Sequence, residues 1–262
     1  MDLSMQLRTL RLSGMLATLE ARNRQAVAGQ WSYVEFVSRL LEDEIERRAQ
    51  KQLALRLRRG TLSTSKSLEE FNFSFNPGIN RQQVLALAAG DYLRERRNVL
   101  ICGPSGVGKT HLAQALGQEA CRQGHDVLFV STHIRCASAT AMLQHLRGGR
   151  ADNSLERRFA TYLRPDLLIL DDFGLRGLCA PSPEDLYDII NERYEKGSIL
   201  LTSNRSPAEW PALFGDPLLA SAGLDRLGDR AEMLVIRGES YRSQGRGALS
   251  DTALLAENGS DA

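Results

Sequence analysis

Eight residues, Gly103-Pro104-Ser105-Gly106-Val107-Gly108-Lys109-Thr110, constrain this chain more than any other stretch. They fit the pattern G-x-x-x-x-G-K-[ST], in which glycines let successive backbone N–H groups turn into one concavity. The apolar run Asn98-Val99-Leu100-Ile101-Cys102 before the loop reads as a buried strand. Residues 111–120 after it, starting at His111, read as a helix. Strand, glycine loop and helix together suit a polyphosphate, held by the N–H concavity and by the positive end of the helix. Lys109 is expected against the β- and γ-phosphates and the Thr110 hydroxyl on a Mg²⁺ ion. His111 completes the expected nucleotide-contacting set. A plain glycine-rich turn at a helix start is the alternative, and both flanks argue against it.

Further strands follow. Residues 126–131 read as the second and Leu167-Leu168-Ile169-Leu170 as the third, the latter ending in Asp171-Asp172. An apolar run capped by acids fits a metal-holding strand end. Asp171 is expected to hold Mg²⁺ through water, and Asp172 to polarise an attacking water. A simple acidic strand end is the alternative. Ile199-Leu200-Leu201-Thr202 is the fourth strand, and Asn204 just beyond it lies where ligands collect in parallel sheets. Residues 232–236 are the fifth strand. Helical stretches are expected at 80–97, 134–146, 183–195 and around 224–227, with a basic turn at Arg147-Gly148-Gly149-Arg150. The class is α/β, a parallel five-stranded sheet sandwiched by helices.

The first 60 residues lack strand signals and carry 11 Lys+Arg against 7 Asp+Glu, a net of +4 in a chain whose total is +1. Ser32-x-x-Glu35 matches a capping box. Phe36, Val37, Leu40, Leu41 and Ile45 form an apolar stripe behind it. Arg47, Arg48, Lys51, Arg56, Arg58 and Arg59 then follow with no acid among them. That run is either a solvated helix face or a surface for DNA phosphates. Arg147, Arg150, Arg157 and Arg158 make a second candidate DNA surface. Phe71, Phe73 and Phe75 alternate in a serine-rich linker, where they either pack an extended segment or border a base. The expected division is a helical DNA- or partner-binding domain at 1–66, a linker and helix at 67–97, a nucleotide-binding domain at 98–247 and a disordered tail at 248–262.

Cys102, Cys121, Cys136 and Cys179 show no paired spacing, and the four histidines no metal motif, so reduced thiols are expected. No signal peptide or membrane-length apolar run is evident, which predicts a cytoplasmic protein. No guanine-recognition motif is present, which argues against a GTPase.

The order of motifs resembles the IstB/DnaC-type AAA+ ATPases. The loop is followed by Leu-Leu-Ile-Leu-Asp-Asp-Phe-Gly, Asn-Glu-Arg-Tyr-Glu-Lys-Gly, Leu-Leu-Thr-Ser-Asn, Asp-Arg-Leu and Gly-Glu-Ser-Tyr-Arg. The opening Leu10–Met15 and Leu41-x-x-Glu44-x-x-x-Arg48 are similar to the IstB branch. The resemblance implies an AAA+ P-loop fold behind a small all-α domain, with ATP and Mg²⁺ as cofactors and ATP hydrolysis as the reaction. It implies Asp172 in place of the usual catalytic Glu, Asn204 as sensor 1, Arg226 as an arginine finger inserted into a neighbouring subunit, and Arg242 as sensor 2. It implies a transposition helper that oligomerises with ATP on double-stranded DNA, largely regardless of sequence, and stimulates a partner transposase. A helicase loader is the alternative within the resemblance. A stand-alone small-molecule kinase is a further one, for which no acceptor-substrate motif is evident.

Overall fold

The computed structural model describes residues 2–131, 141–174, 182–238 and 240–241. Arg242, the tail at 248–262, Cys136, Cys179 and the start of the helix expected at 134 lie outside the described residues. The chain forms two compact units, Met1–Arg56 and Leu57–Ala262.

The first unit is helical: α1 (Leu3–Thr9), α2 (Ser13–Gly29) and most of α3 (Tyr33–Arg59). Ser32 caps α3, its hydroxyl accepting the Glu35 N–H at 3.2 Å. Glu44 ties α2 to α3. Its carboxylate accepts the N–H groups of Gly14 at 2.5 Å and Met15 at 3.3 Å, so it caps the N-terminus of α2. Arg48 completes this cap, donating to Glu44 at 2.7 Å. Burial opposes the Glu44 charge, yet Arg48 and the two N–H groups hold its pKa below the ordinary value. Arg22 binds Asp43 through Nε at 2.9 Å and Nη2 at 2.6 Å. Of the apolar stripe on α3, Leu40 is buried and Phe36 half-buried, while Val37, Leu41 and Ile45 are exposed.

The second unit begins within α3 and continues through α4 (Arg81–Ala88), α5 (Asp91–Arg94), β1 (Val99–Cys102), α6 (Lys109–Arg122), β2 (Val127–Ser131), α7 (Ala141–Ala151) and α8 (Leu155–Leu163). It ends with β3 (Leu167–Phe173), α9 (Ser182–Arg193), β4 (Ser198–Ser203), α10 (Pro211–Phe214), α11 (Pro217–Gly228) and β5 (Glu232–Val235). The sheet is five-stranded, every pairing is parallel, and the order is β2-β3-β4-β1-β5. The central strands β3, β4 and β1 are continuous apolar runs, as burial on both faces demands, while edge strand β5 leaves Met233 and Val235 exposed. One face packs Leu168, Leu170, Leu201 and Phe173 against Leu186, Ile189, Trp210 and Leu143. No helix among the described residues is long and apolar enough to cross a membrane.

Three expectations need correcting. Residues 80–97 form two helices, because the chain turns at Gly90 with φ of +83°. Residues 147–150 continue α7 instead of turning: Gly148 and Gly149 lack side chains where Arg158 and Leu155 of α8 pack against them. The third strand runs one residue past the two aspartates, to Phe173. Residues 60–66 lie on the sheet unit: Gly60 O accepts the Phe129 N–H at 2.9 Å, Thr61 donates to Phe129 O at 2.7 Å, and Gln118 donates to the carbonyls of Ser63 and Lys66.

Candidate functional site

The strand order decides what can meet the glycine loop. β4 lies between β1, which feeds the loop, and β3, which carries the aspartates. Their carboxyl ends are in register, with Cys102 opposite Ser203 and Ser203 opposite Phe173. Residues following β1, β3 and β4 therefore converge on one edge of the sheet.

The loop uses its glycines as backbone, not as spacers. Gly106 and Gly108 have φ of +84° and +99°. A Cβ on Gly106 would meet Ser240, and one on Gly108 would meet the Phe71 ring at 2.9 Å. Lys109 opens α6 and is only 5% exposed. Its ammonium donates to Pro104 O at 2.7 Å, so a charged group waits inside the loop. The Thr110 hydroxyl donates to Asp171 Oδ1 at 3.0 Å, across 61 residues of sequence. Thr202 on β4 donates to the same oxygen at 2.6 Å.

Asp171 is 2% exposed. Burial raises its pKa above the ordinary carboxylate range, the Thr202 hydroxyl opposes this, and the charge of Asp172 adds to the rise. A desolvated carboxylate beside a hydroxyl is the hard oxygen pair that Mg²⁺ accepts, with phosphate oxygens and water filling the remaining positions. The described residues contain no group of three or more His, Cys, Asp or Glu side chains placed to hold a metal by themselves.

Asp172 occupies a bulge in the β3–β4 pairing and has φ of +57°, a left-handed conformation that is strained for a non-glycine residue. Its N–H donates to Thr202 Oγ1 at 2.9 Å. Thr202 thus holds both aspartates, one by its hydrogen and one by its lone pair. The bulge sends consecutive acids to different places: Asp171 is buried, whereas Asp172 lines the cleft. Ser203 locks the next step, donating to Phe173 O at 2.8 Å, while Trp210 Nε1 reaches its hydroxyl at 3.3 Å. Asn204 lines the same cleft, and its buried Oδ1 has no hydrogen-bond partner.

The cleft encloses about 500 Å³. Residues 105–111 form its floor; Lys66, Glu70, Phe71, Asn72, Phe75, Asn76 and Tyr241 form the rest of its wall with Asp172 and Asn204. His111 is a tether: its Nε2 lies 2.9 Å from Ser67 O, and its ring stands edge-on to Phe71 at 5.2 Å. Phe71 and Phe75 line the cleft, while Phe73 packs edge-on to Phe71 at 4.9 Å under Arg81. Lys66, Asn76 and Thr202 carried no sequence signal. Each acts through partners 30 to 162 positions away, a separation no local pattern records.

Arg226 is elsewhere. Asn98, just before β1, donates to the carbonyls of Arg226 at 3.5 Å and Leu227 at 3.0 Å, and accepts the Ile199 N–H at 2.9 Å. The glycine loop leaves the other end of β1, about 15 Å away at the rise of a strand. The Arg226 guanidinium lies over Tyr187 at 5.7 Å and donates to Ala222 O at 2.9 Å. It lines a second cleft with Arg96, Arg97 and Arg230, and not the first.

The basic candidates divide by their partners. Arg47, Lys51, Arg58 and Arg59 are exposed and Arg56 half-buried, with no carboxylate on any of them. Arg48 serves Glu44. Arg150 makes a bidentate pair with fully buried Asp185, at 2.5 and 2.8 Å. Arg158 serves Asp152, Ser154 and His145 O. Arg147 has a partner as well, whereas Arg157 is exposed.

A family model described as "IstB-like ATP binding protein" matches residues 5–248. An insertion-sequence ATP-binding protein of Mycobacterium tuberculosis is 42% identical over 241 residues, which is 92% of this chain and 93% of that protein. The insertion sequence IS21 ATP-binding protein of Pseudomonas aeruginosa is 38% identical, over 92% of this chain and 88% of its own length. Among solved structures, AMPPCP-bound DnaA from Aquifex aeolicus superposes with a TM-score of 0.51 at 25% identity, covering 67% of this chain and 51% of that one.

Proposed function

Because the chain belongs to the IstB-like ATP-binding proteins and has an AAA+ P-loop fold, we propose that it is an ATP-hydrolysing transposition helper. In this reading it assembles on double-stranded DNA and stimulates the transposase of its insertion sequence. The observation that carries it is the separation of Arg226 from its own nucleotide cleft. The cleft holds what is needed to bind ATP, but Arg226, the arginine that this reading assigns to the transferring phosphoryl, sits at the amino ends of the strands. An active centre shared between copies makes turnover depend on assembly.

The chemistry follows from the groups present. Loop N–H groups and Lys109 hold the β- and γ-phosphates, the ammonium leaving Pro104 O to do so. Thr110 and Asp171 would hold Mg²⁺, whose charge offsets that of the phosphates. Asp172, turned into the cleft by its bulge, orients a water and accepts its proton as the water oxygen attacks the γ-phosphorus. The bond from that phosphorus to the β–γ bridging oxygen breaks, and ADP leaves. Asn204 Oδ1 accepts the second hydrogen of that water, which gives the unpartnered oxygen its role. Asp carries one methylene fewer than the usual Glu, so slow turnover is expected, suited to a timer more than a motor.

Helix α3 supplies the DNA contacts in this reading, through Arg47, Lys51, Arg56, Arg58 and Arg59. The test is sedimentation of the full chain with duplex DNA and a non-hydrolysable ATP analogue. Assembly that requires both nucleotide and DNA is expected. A monomer under all conditions would defeat the proposal.

A further inference from the structure

Asn76 also lines the cleft, and nothing in the reaction above uses it. It is 4% exposed, and its Nδ2 is buried without a hydrogen-bond partner. The orientation of the amide follows from its other half, since Oδ1 accepts the Gly78 N–H at 3.1 Å. The side chain cannot swing away. A Cβ placed on Gly238 would come within 2.7 Å of both amide heavy atoms, so the residue is clamped between its own turn and the strand-end segment after β5. A buried amide donor with no acceptor costs about 1–3 kcal/mol, and such groups in native folds point to an absent partner.

The surroundings say what that partner is. Phosphates are claimed by the loop amides and Lys109. Phe75, next to Asn76, stands edge-on to Tyr241 at 4.8 Å, and both line the cleft with Phe71. Flat aromatic walls beside an amide suit a planar nitrogen heterocycle. A donor there needs an acceptor, and adenine has three ring nitrogens that accept: N1, N3 and N7.

We infer that Asn76 is the base-reading residue of this cleft, its Nδ2–H donating to an adenine ring nitrogen between the walls of Phe71, Phe75 and Tyr241. The inference rests on the ATP reading but concerns the base, not the phosphates. Its test is equilibrium binding, without turnover, of ATP and of its 1-deaza, 3-deaza and 7-deaza analogues, each lacking one acceptor. One analogue should bind the unmodified protein about 3–10-fold more weakly than ATP, the effect of one neutral hydrogen bond. In Asn76→Leu, and in Asn76→Asp, which keeps an acceptor for the Gly78 N–H, ATP itself should weaken by a similar factor. The gap between ATP and that analogue should close. Three analogues that bind the unmodified protein as well as ATP does would overturn the inference with no variant needed. A gap that persists unchanged in both variants would overturn it too. Failure of ATP itself to bind would instead remove the reading on which the inference stands.

Discussion

Lys109 and Asp172 separate binding from chemistry at the scale of single residues. Lys109→Ala removes a buried point charge from the phosphates and should weaken ATP binding by about 10–100-fold, the range for a hydrogen bond to a charged group. Asp172→Asn keeps the bulge and the Asp171–Thr110 pair, so it should bind ATP as the unmodified chain does yet lose turnover. Calorimetric titration beside phosphate release distinguishes them, and equal loss of affinity in both variants would contradict the assigned roles. The phosphate half of the site was legible because it is written in consecutive residues. Gly103–Thr110 carries loop, charge and hydroxyl in one string, and Asp171 ends an apolar run. The other half was not. That Asp172 would leave Asp171's path depends on a left-handed bulge held by Thr202, thirty positions on. Asn76 looked like part of a turn, Asn76-Pro77-Gly78; its unpartnered amide exists only once Gly238 is packed on it.

Elements were legible where pattern and burial agree. The three central strands, β3, β4 and β1, are apolar runs that the sheet buries, and Ser32 caps α3 as its spacing predicts. Boundaries failed where a tertiary partner overrides the local signal: two glycines continue α7 because α8 packs on them, and Gly90 divides a stretch whose apolar spacing reads as one helix. Asn98 is the residue that joins elements, bridging the start of β1 to β4 and to the end of α11. Asn98→Ala orphans the Ile199 N–H and the Leu227 carbonyl. It should lower stability by about 1–3 kcal/mol in denaturant titrations, because both groups stay buried. In the helical unit, Arg22 holds Asp43 down to about 2 from an ordinary 3.8, with Thr18 assisting. A carboxylate depressed in the folded state stabilises fully above the ordinary value and loses that contribution as pH falls toward the depressed one. Helix packing between α2 and α3 should therefore weaken between about pH 4 and 2. Asp43→Asn should be less stable at neutral pH and lose less over that window, as read by circular dichroism of denaturant melts at each pH.

Across the whole molecule, charge is nearly balanced, but its distribution is not. Arg47, Lys51, Arg58 and Arg59 of the 47–59 run are exposed and lack acidic partners, while Arg48 pairs with Glu44 and Arg150 and Arg158 of the second candidate surface are committed to Asp185 and Asp152. Neutralising Arg56, Arg58 and Arg59 should weaken duplex binding equally on unrelated sequences and flatten the log–log salt slope by about 0.9 per lost phosphate contact. An unchanged slope would transfer the role to Arg157 and its surroundings. The central claim is that one active centre is built from two copies, and mixing two inactive variants tests it most directly. An arginine finger is worth about 10³–10⁵ in rate in other nucleotidases. Arg226→Ala should bind ATP normally and turn over little, and Lys109→Ala should not turn over at all. Combined on DNA, an intact cleft meets an intact Arg226 at some interfaces, so phosphate release should rise well above the sum of the separate variants and should grow with protein concentration. Activity of the mixture equal to that sum, together with specific activity of the unmodified chain independent of concentration, would contradict the shared centre.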